Sequence, residues 1–409
     1  YEKPTAKKLD SLIEKAQEQV TKDVNSAAKQ NDKIEKDIKA LQEKLLQKNE
    51  LDWQDKKQME EMMEKNENLQ KQIENIQKKF ELNNKQTESK EYSEDIQEKQ
   101  ENMEKLLDEL KNNQLAERMK KMDELMKMLN KDQLFQQLKQ IEQDNELMEK
   151  DLDRVVEMMK QLERDMRMED IAKKADELAK KQDELNKKTE AKTQSEQELK
   201  KQQDELNKQM QELKKDIAEM EKVNDQMENK ADLSDAKKDA DDAQQNMENS
   251  SKELNSSSSS KASKSQKNAK KNLEDLAKKM NEASSGGGPD QLEEDVKATR
   301  QLLQNLIRMS FTQEDLIGTV KSTSIADPKY VTNVQTQQKL KADAKMIADS
   351  LFALSKRQPK LSSTVNREID GINRNMESAI ANLEQRLVPQ SAVNQQYVMT
   401  GANNLALML

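Results

Sequence analysis

The 409-residue sequence lacks two residue types on which most enzymes depend. It contains neither histidine nor cysteine. The absence of histidine removes the commonest general base and the commonest metal ligand of proteins. The absence of cysteine excludes disulfides, thiolate nucleophiles and thiolate metal sites. We therefore predict that the protein is not an enzyme and that it uses no cofactor or metal.

Aromatic residues and helix-breaking residues are also scarce. Aromatic residues make up 2% of the chain and hydrophobic residues 33%, against about 45–50% apolar residues in ordinary globular chains. All six glycines lie at or beyond Gly286, and no proline occurs between Pro4 and Pro289. Glu, Lys, Gln, Leu and Met fill this long interval, which predicts helix almost throughout. The sequence contains no apolar run of about 18 residues that could span a membrane.

Charge of both signs is abundant and nearly balanced. Charged residues make up 37% of the chain, with 71 basic and 80 acidic residues and a net charge of −9. A protein that wraps nucleic acid needs a basic face. We therefore expect no nucleic-acid partner.

Apolar residues recur with a seven-residue period through the proline-free interval. In residues 171–231 the heptad is clearest, and the segment Gln182–Lys187 (QDELNK) recurs at Gln203–Lys208 after three heptads. Heptads of this kind predict coiled-coil helices with a left-handed supercoil. A continuous helix would place Thr189, Lys192 and Glu196 at successive interface positions, so we expect this stretch to be weakly paired.

Polar interruptions divide the heptads. Residues 83–95 contain poor helix formers and predict a chain reversal, with weaker breaks at Asn112 and at 130–132. A single helix over about 230 residues would be roughly 350 Å long, so antiparallel hairpins are the favoured arrangement. Trp53 follows a register shift at Leu51, where we expect it to wedge a helix junction; a partner contact is the alternative.

Composition divides the chain into three predicted parts. Residues 1–249 are an acidic coiled-coil rod. Residues 250–289 are rich in Ser, Lys and Gly and predict a flexible linker, with room for a short helix over 267–283. Residues 290–409 predict a compact bundle of about five helices, including a short one capped by Thr312. The predicted fold class is all-α.

A methionine-rich segment is the candidate partner-binding site. Methionine is adaptable and is frequent at promiscuous binding surfaces. Core packing is the plainer interpretation, and a methionine-based copper site is a third; burial of the side chains distinguishes the first two. The candidate partner-binding residues are Met119, Met122, Met126, Met128, Met158, Met159, Met166 and Met168.

Several stretches resemble one protein family. They are Leu302–Leu316 (LLQNLIRMSFTQEDL), Asp349–Pro359 (DSLFALSKRQP), Glu368–Arg386 (EIDGINRNMESAIANLEQR), Pro389–Leu409 (PQSAVNQQYVMTGANNLALML) and, less specifically, Leu51–Lys56 (LDWQDK). Together they are similar to large Bacteroidetes-type periplasmic coiled-coil proteins that are anchored in the inner membrane and carry a C-terminal domain of unknown function. The resemblance implies a periplasmic location and supplies no catalytic residue.

These observations predict a non-enzymatic structural protein of the cell envelope, a coiled-coil scaffold or tether that presents partner-binding surfaces. The expected partners are other envelope proteins, self-association through the coils, or both. We expect the chain to be part of a longer protein whose membrane anchor lies outside this sequence. A periplasmic holdase-type chaperone with methionine-rich client-binding helices is the alternative, and without the resemblance a cytoplasmic coil would also fit.

Overall fold

A computed structural model describes residues 6–47, 52–128, 130–227, 230–285, 289–358 and 363–409. These residues form helices and contain no β-strand, which confirms the all-α prediction. A 3-10 turn at Glu88–Lys90 and a π-helical segment at Leu110–Leu115 interrupt the α-helices. The α-helices are α1 Ala6–Gln47, α2 Trp53–Thr87, α3 Glu94–Glu109, α4 Ala116–Lys127, α5 Lys131–Ala191, α6 Glu196–Asp225, α7 Ser234–Asn255, α8 Ser259–Ser284, α9 Pro289–Ser322, α10 Lys329–Arg357, α11 Ser363–Glu384 and α12 Val388–Met408.

The described residues divide into two units rather than into the three parts predicted. The first unit comprises residues from 1–89, 99–159 and 294–409, and the second comprises 90–98 and residues from 160–293. Helix α5 contributes to both units, since the division falls between Met159 and Lys160. The rod predicted for 1–249 is therefore not one structural unit.

The first unit contains an N-terminal bundle built from α1, α2, α3 with α4, and the first part of α5. The amide of Asn83 donates to Gln17, and Lys79 pairs with Asp23, so α1 and α2 are antiparallel. Asn84 donates to Glu104 of α3. The chain therefore reverses between the end of α2 and the start of α3, which confirms the reversal predicted over 83–95. The supercoil itself remains a prediction.

The first unit also contains a C-terminal bundle of α9 to α12. The Tyr330 hydroxyl of α10 donates to the carbonyl of Leu383 at the end of α11, at 2.9 Å. The prediction of about five helices is wrong, because α9 runs unbroken through the position of the expected short helix. Thr312 does not cap a helix; its hydroxyl donates to the carbonyl of Arg308 within α9. Buried Gln313, Leu316 and Val320 continue the helical spacing of the core.

The second unit is a bundle of the last part of α5 with α6, α7 and α8. Lys174 pairs with Asp216 at 2.7 Å, and Lys181 donates to Gln209 at 3.1 Å, so α5 and α6 are antiparallel. The two QDELNK copies thus lie in opposite arms of one hairpin, and their first residues, Gln182 and Gln203, hydrogen-bond across it.

This hairpin corrects the continuous helix predicted over 171–231. The chain turns after Ala191, where Lys192 has a left-handed φ of 49°. Ser195 then caps α6, with Glu198 completing a capping box. Thr189 is buried inside α5, whereas at the turn Lys192 is exposed and Glu196 is half-buried. The heptad spacing of the core positions continues from α5 into α6, because antiparallel pairing of the two helices preserves it.

The linker predicted over 250–289 is wrong for residues 250–285. These residues complete α7 and form α8, whose buried positions repeat at intervals of four and three. Small side chains allow this packing: Ser250 and Ser263 are buried. The Gly286–Gly288 segment lies outside the described residues. The buried positions of α8 include Ala262, Gln266, Ala269, Leu273, Leu276 and Met280.

The turn between α5 and α6 provides a test of this correction. Lys192 has a positive φ, a conformation that costs a non-glycine residue about 1 kcal/mol. Lys192→Gly should therefore raise the free energy of unfolding of the second unit by about 1 kcal/mol, and Lys192→Leu should not raise it. Denaturant-dependent hydrogen exchange of α6 peptides measures both effects. A gain from the leucine variant equal to that from glycine would restore the continuous-helix interpretation.

Each of the three bundles contains a buried polar cluster contributed by several of its helices. In the N-terminal bundle, Arg118 of α4 donates to Asn31 of α1 and Asn145 of α5. In the second unit, Gln203 of α6 binds residues of the three other helices. In the C-terminal bundle, Gln337 of α10 bonds Gln313, Gln395 and Met376. Buried polar groups of this kind require partners, so each cluster favours one register of its helices.

Candidate interaction site

The structure places most of the candidate methionines in the core. Five of the eight are buried within this chain and do not offer the accessible surface that the prediction requires of them. The three others, all in or next to α4, are half-buried. No member of the predicted set is fully exposed. The buried residues are Met122, Met158, Met159, Met166 and Met168, and the half-buried ones are Met119, Met126 and Met128.

Two features explain why these methionines are buried. Between residues 151 and 171 of α5, only Asp153 is exposed, so apolar residues on several sides of this helix are covered. Met122 packs in the N-terminal bundle, where its sulfur lies 2.9 Å from the amide nitrogen of Asn66. An apolar pattern on more than one side of a helix is typical of a helix with several neighbours, and here those neighbours belong to the same chain.

Trp53, by contrast, is on the surface. We predicted that it would wedge a helix junction, but its side chain is 72% exposed at the first position of α2. Its only described ring contact is with Lys57, whose ammonium lies 5.7 Å from the ring centroid. The packing role is therefore wrong. Asp52, the residue before Trp53, caps the N-terminus of α2 and forms a capping box with Asp55. This cap fixes Trp53 at the start of α2.

A groove between α9 and α10 is the candidate site of the C-terminal bundle. Its volume is about 620 Å³, within the range of about 300–1,000 Å³ typical of binding sites. Met309, Leu340 and Ile347 line its floor and belong to the buried core. The polar and charged lining residues are Asn305, Arg308, Thr312, Thr336, Lys339, Asp343 and Ser350.

One exposed apolar side chain lines this groove. Met346 belongs to its lining and is 62% exposed. Methionine is one of the residue types enriched at protein interfaces. Phe311 and Ile307 of α9 are also exposed. They are four residues apart and so share one face of the helix, but they do not line the groove.

The arginines of the C-terminal bundle divide between the groove and ion pairs. Arg308 lines the groove and donates to Asn305 of its own helix at 2.9 Å. Arg374 pairs with Asp370 at 2.6 Å and lies 3.5 Å from Asp144 of α5. Arg367 lies 3.9 Å from Glu109 of α3. Helix α11 is thus held against α3 and α5 of the same unit by charged contacts.

A buried ionic cluster reinforces this contact next to the π-helical segment. Asp151 is fully buried and accepts hydrogen bonds from Gln114 of that segment and from Asn366 of α11. Burial raises the pKa of Asp151 above its ordinary value, and burial lowers the pKa of Arg154. Two guanidinium nitrogens of Arg154 have no hydrogen-bond partner. The sequence shows only one signal for this cluster, the helix break predicted at Asn112.

The raised pKa of Asp151 predicts a pH dependence. Because the folded state binds the proton of Asp151 more tightly than the unfolded state, ionisation of this carboxyl destabilises the fold as pH rises. Asp151→Asn should therefore stabilise the first unit at neutral pH, by about 1 kcal/mol or more. Gln114 can accommodate the new amide by turning its unpaired Oε1 towards it.

The difference between wild type and Asp151→Asn should shrink as pH falls towards the ordinary aspartate value of 3.8. Hydrogen exchange of α11 peptides between neutral and acidic pH measures this difference in stability. The control is Asp153→Asn, at an exposed position of α5, the helix that also contains Asp151. A difference that stays constant over this range would contradict the assigned role of burial.

Within the described residues, no three acidic side chains converge as a set of metal ligands. No helix there combines the length and the hydropathy needed to cross a bilayer.

Comparisons with known protein families, with curated proteins and with solved structures find no match to this chain.

Proposed function

We propose that the protein is a non-enzymatic interaction protein of the cell envelope, a helical scaffold that binds a partner protein through the groove between α9 and α10. The observation that carries this proposal is the groove of about 620 Å³ with the exposed side chain of Met346 in its lining. Exposed methionine side chains are costly in water and typical of contact surfaces.

The groove also offers polar contacts of both signs. Arg308 and Lys339 supply positive charge and Asp343 supplies negative charge among the lining residues. A protein partner could place an apolar side chain over the floor and pair its flanking charges with the rim. Such a combination of an apolar centre with a polar border is the usual anatomy of a specific interface.

The buried polar clusters support a scaffold rather than a clamp. A holdase that grips unfolded clients needs adaptable apolar surface, and the methionines proposed for that purpose are largely buried. The holdase alternative therefore loses the observation that favoured it. A scaffold needs helices with one register, which the hydrogen-bonded clusters around Arg118, Gln203 and Gln337 favour.

The periplasmic location and an inner-membrane anchor outside this chain are part of the proposal. They depend on the resemblance of segments such as Leu302–Leu316 and Pro389–Leu409. Self-association remains a second type of partner for the same protein.

A variant comparison tests the proposal. The tagged full chain is used to recover partners from envelope extracts, alongside Met346→Lys. Met346 is exposed, so the variant should fold, and it places a charge where the partner's apolar surface would lie. We expect it to reduce recovery of a defined partner at least tenfold, because a buried apolar anchor contributes about 2 kcal/mol or more.

Val331→Lys is the matched control. Val331 is on α10 like Met346, is 59% exposed and does not line the groove. Recovery equal to wild type is expected for this variant. Undiminished recovery with Met346→Lys, or equal loss with Val331→Lys, would refute the groove as the binding site.

A further inference from the structure

One end of the N-terminal bundle exposes its largest apolar side chains. Trp53, at the start of α2, is 72% exposed, and Leu46, in the last turn of α1, is 67% exposed. Within the described residues, only Leu407, near the last residue of the chain, is a more exposed large hydrophobic residue. Trp53 is also the single tryptophan of the chain. The fold does not use either side chain for packing.

The antiparallel pairing brings these two residues to the same end of the bundle. Lys44 of α1 donates to Gln58 of α2 at 2.7 Å, and both Leu46 and Trp53 lie on the turn side of this bond. The turn from α4 to α5 is at the same end, because Gln42 of α1 bonds Glu142 of α5. We call the described residues of 44–58 and 126–132 the Trp53 tip.

The Trp53 tip differs in charge from the rest of the chain. Its described residues include five lysines and three aspartates, a local excess of positive charge in a protein of net charge −9. Lys57 lies over the Trp53 ring, 5.7 Å from its centroid. Two half-buried methionines, Met126 and Met128, add apolar surface. The lysines of the tip are Lys44, Lys56, Lys57, Lys127 and Lys131.

We propose that the Trp53 tip docks on the surface of a lipid bilayer, with Trp53 and Leu46 entering the headgroup region and the lysines contacting anionic headgroups. Tryptophan is enriched at membrane–water interfaces because its ring is apolar and its N–H is polar. Lysines next to apolar side chains add attraction to anionic lipid, worth about 1 kcal/mol for each lysine near the surface. This contact uses no residue of the α9–α10 groove, so it goes beyond the function proposed above.

The chemistry favours a bilayer over a protein as the occupant. The Trp53 tip has exposed apolar side chains at a helix turn and a ring of flexible lysines, and it lacks the concave floor that the α9–α10 groove offers. A bilayer accepts exposed apolar side chains beside lysines without shape complementarity. Peripheral segments bind by buried apolar area together with attraction to anionic lipid.

The single tryptophan makes the test specific, since all tryptophan emission reports on the tip. The full 409-residue chain is mixed with vesicles of phosphatidylcholine and phosphatidylglycerol, or of phosphatidylcholine alone. We expect the emission maximum of Trp53 to move to shorter wavelength with the first vesicles, and less so with the second. Leu46→Ser should weaken vesicle binding about tenfold, because it removes one of two inserting side chains.

Leu82→Ser is the matched control. Leu82 is 59% exposed and lies on α2 near the opposite end of the hairpin, next to Asn83, which bonds Gln17 of α1. This variant should bind like the wild type. The proposal is overturned if the chain sediments with vesicles without a change in Trp53 emission, if it does not bind anionic vesicles, or if Leu82→Ser loses as much binding as Leu46→Ser.

Discussion

Asn145→Leu should lower the free energy of unfolding of the N-terminal bundle by about 3 kcal/mol. The Nη1 atom of Arg118 donates to Oδ1 of Asn145 at 2.7 Å and to Oδ1 of Asn31 at 2.9 Å. Arg118 is fully buried, and its Nε and Nη2 have no hydrogen-bond partner. The variant removes one of two acceptors from a buried charge, which cannot recover the lost bond from water. Denaturant-dependent hydrogen exchange of α4 peptides measures the change.

The same cluster predicts the opposite effect when it is removed as a whole. Replacing Asn31 and Asn145 with leucine and Arg118 with methionine should stabilise the bundle by about 1–4 kcal/mol, because no buried charge remains. Burial lowers the pKa of Arg118 to about 10. The folded state therefore releases this proton before the unfolded state does, and wild-type stability should gain from this group as pH rises through about 10. The advantage of the triple variant should shrink over the same interval.

A pair of opposite results would contradict this description. If Asn145→Leu leaves stability unchanged while the triple variant is destabilised, Arg118 contributes favourably in some other way. Asp153→Asn, at an exposed position of α5, serves as the control for general effects of substitution in this helix.

Gln203→Leu should have the second large effect, a loss of about 2–3 kcal/mol from the second unit. Gln203 exchanges two hydrogen bonds of 2.9 Å with Gln182, and its Oε1 also accepts from Ser250 at 3.0 Å and Gln266 at 3.2 Å. The substitution leaves buried amides and a buried hydroxyl without their common partner. Hydrogen exchange of α6 and α8 peptides measures the loss.

Replacement of all four residues separates stability from register. With Gln182, Gln203 and Gln266 changed to leucine and Ser250 to alanine, we expect stability to return to the wild-type value or exceed it. The unique register should then be lost, since polar residues at interface positions are what specify it.

The chain contains no cysteine, so pairs of introduced cysteines report the helix register without interference from native thiols. Lys181→Cys with Gln209→Cys joins facing positions of the native hairpin, whose Nζ and Oε1 atoms lie 3.1 Å apart, and should cross-link in every background. Lys181→Cys with Gln202→Cys is displaced by one heptad and should cross-link only in the fourfold variant. Cross-linking of the displaced pair in the wild type would show that the polar cluster does not fix the register.

Heptad spacing predicted the helical fold and much of the core. Leu178, Leu185 and Leu206 are buried as the pattern requires. The same pattern could not locate the turn at Lys192, because antiparallel pairing maintains the spacing across a hairpin. The local signal for that turn is the capping box of Ser195 and Glu198.

Composition was a poorer indicator than spacing. The serines and lysines of 250–285 suggested a linker, yet Ala262, Ala269 and Leu273 keep the four-three spacing of a buried helix face. Methionine content suggested a surface, although burial is decided by neighbouring helices that the local sequence does not show. Exposure of Trp53 could not be predicted for the same reason. The α9–α10 groove depends on how two helices separate, which no periodicity encodes.

The most direct test of the proposed function places a photoreactive residue at Met346 of the protein in its native cells and identifies what cross-links there. The same residue at Val331, equally accessible on α10 but outside the groove, is the reference. We predict one defined protein adduct from Met346 that is absent from Val331. The same set of adducts from both positions, or none from Met346, would contradict the claim that a partner protein occupies the groove.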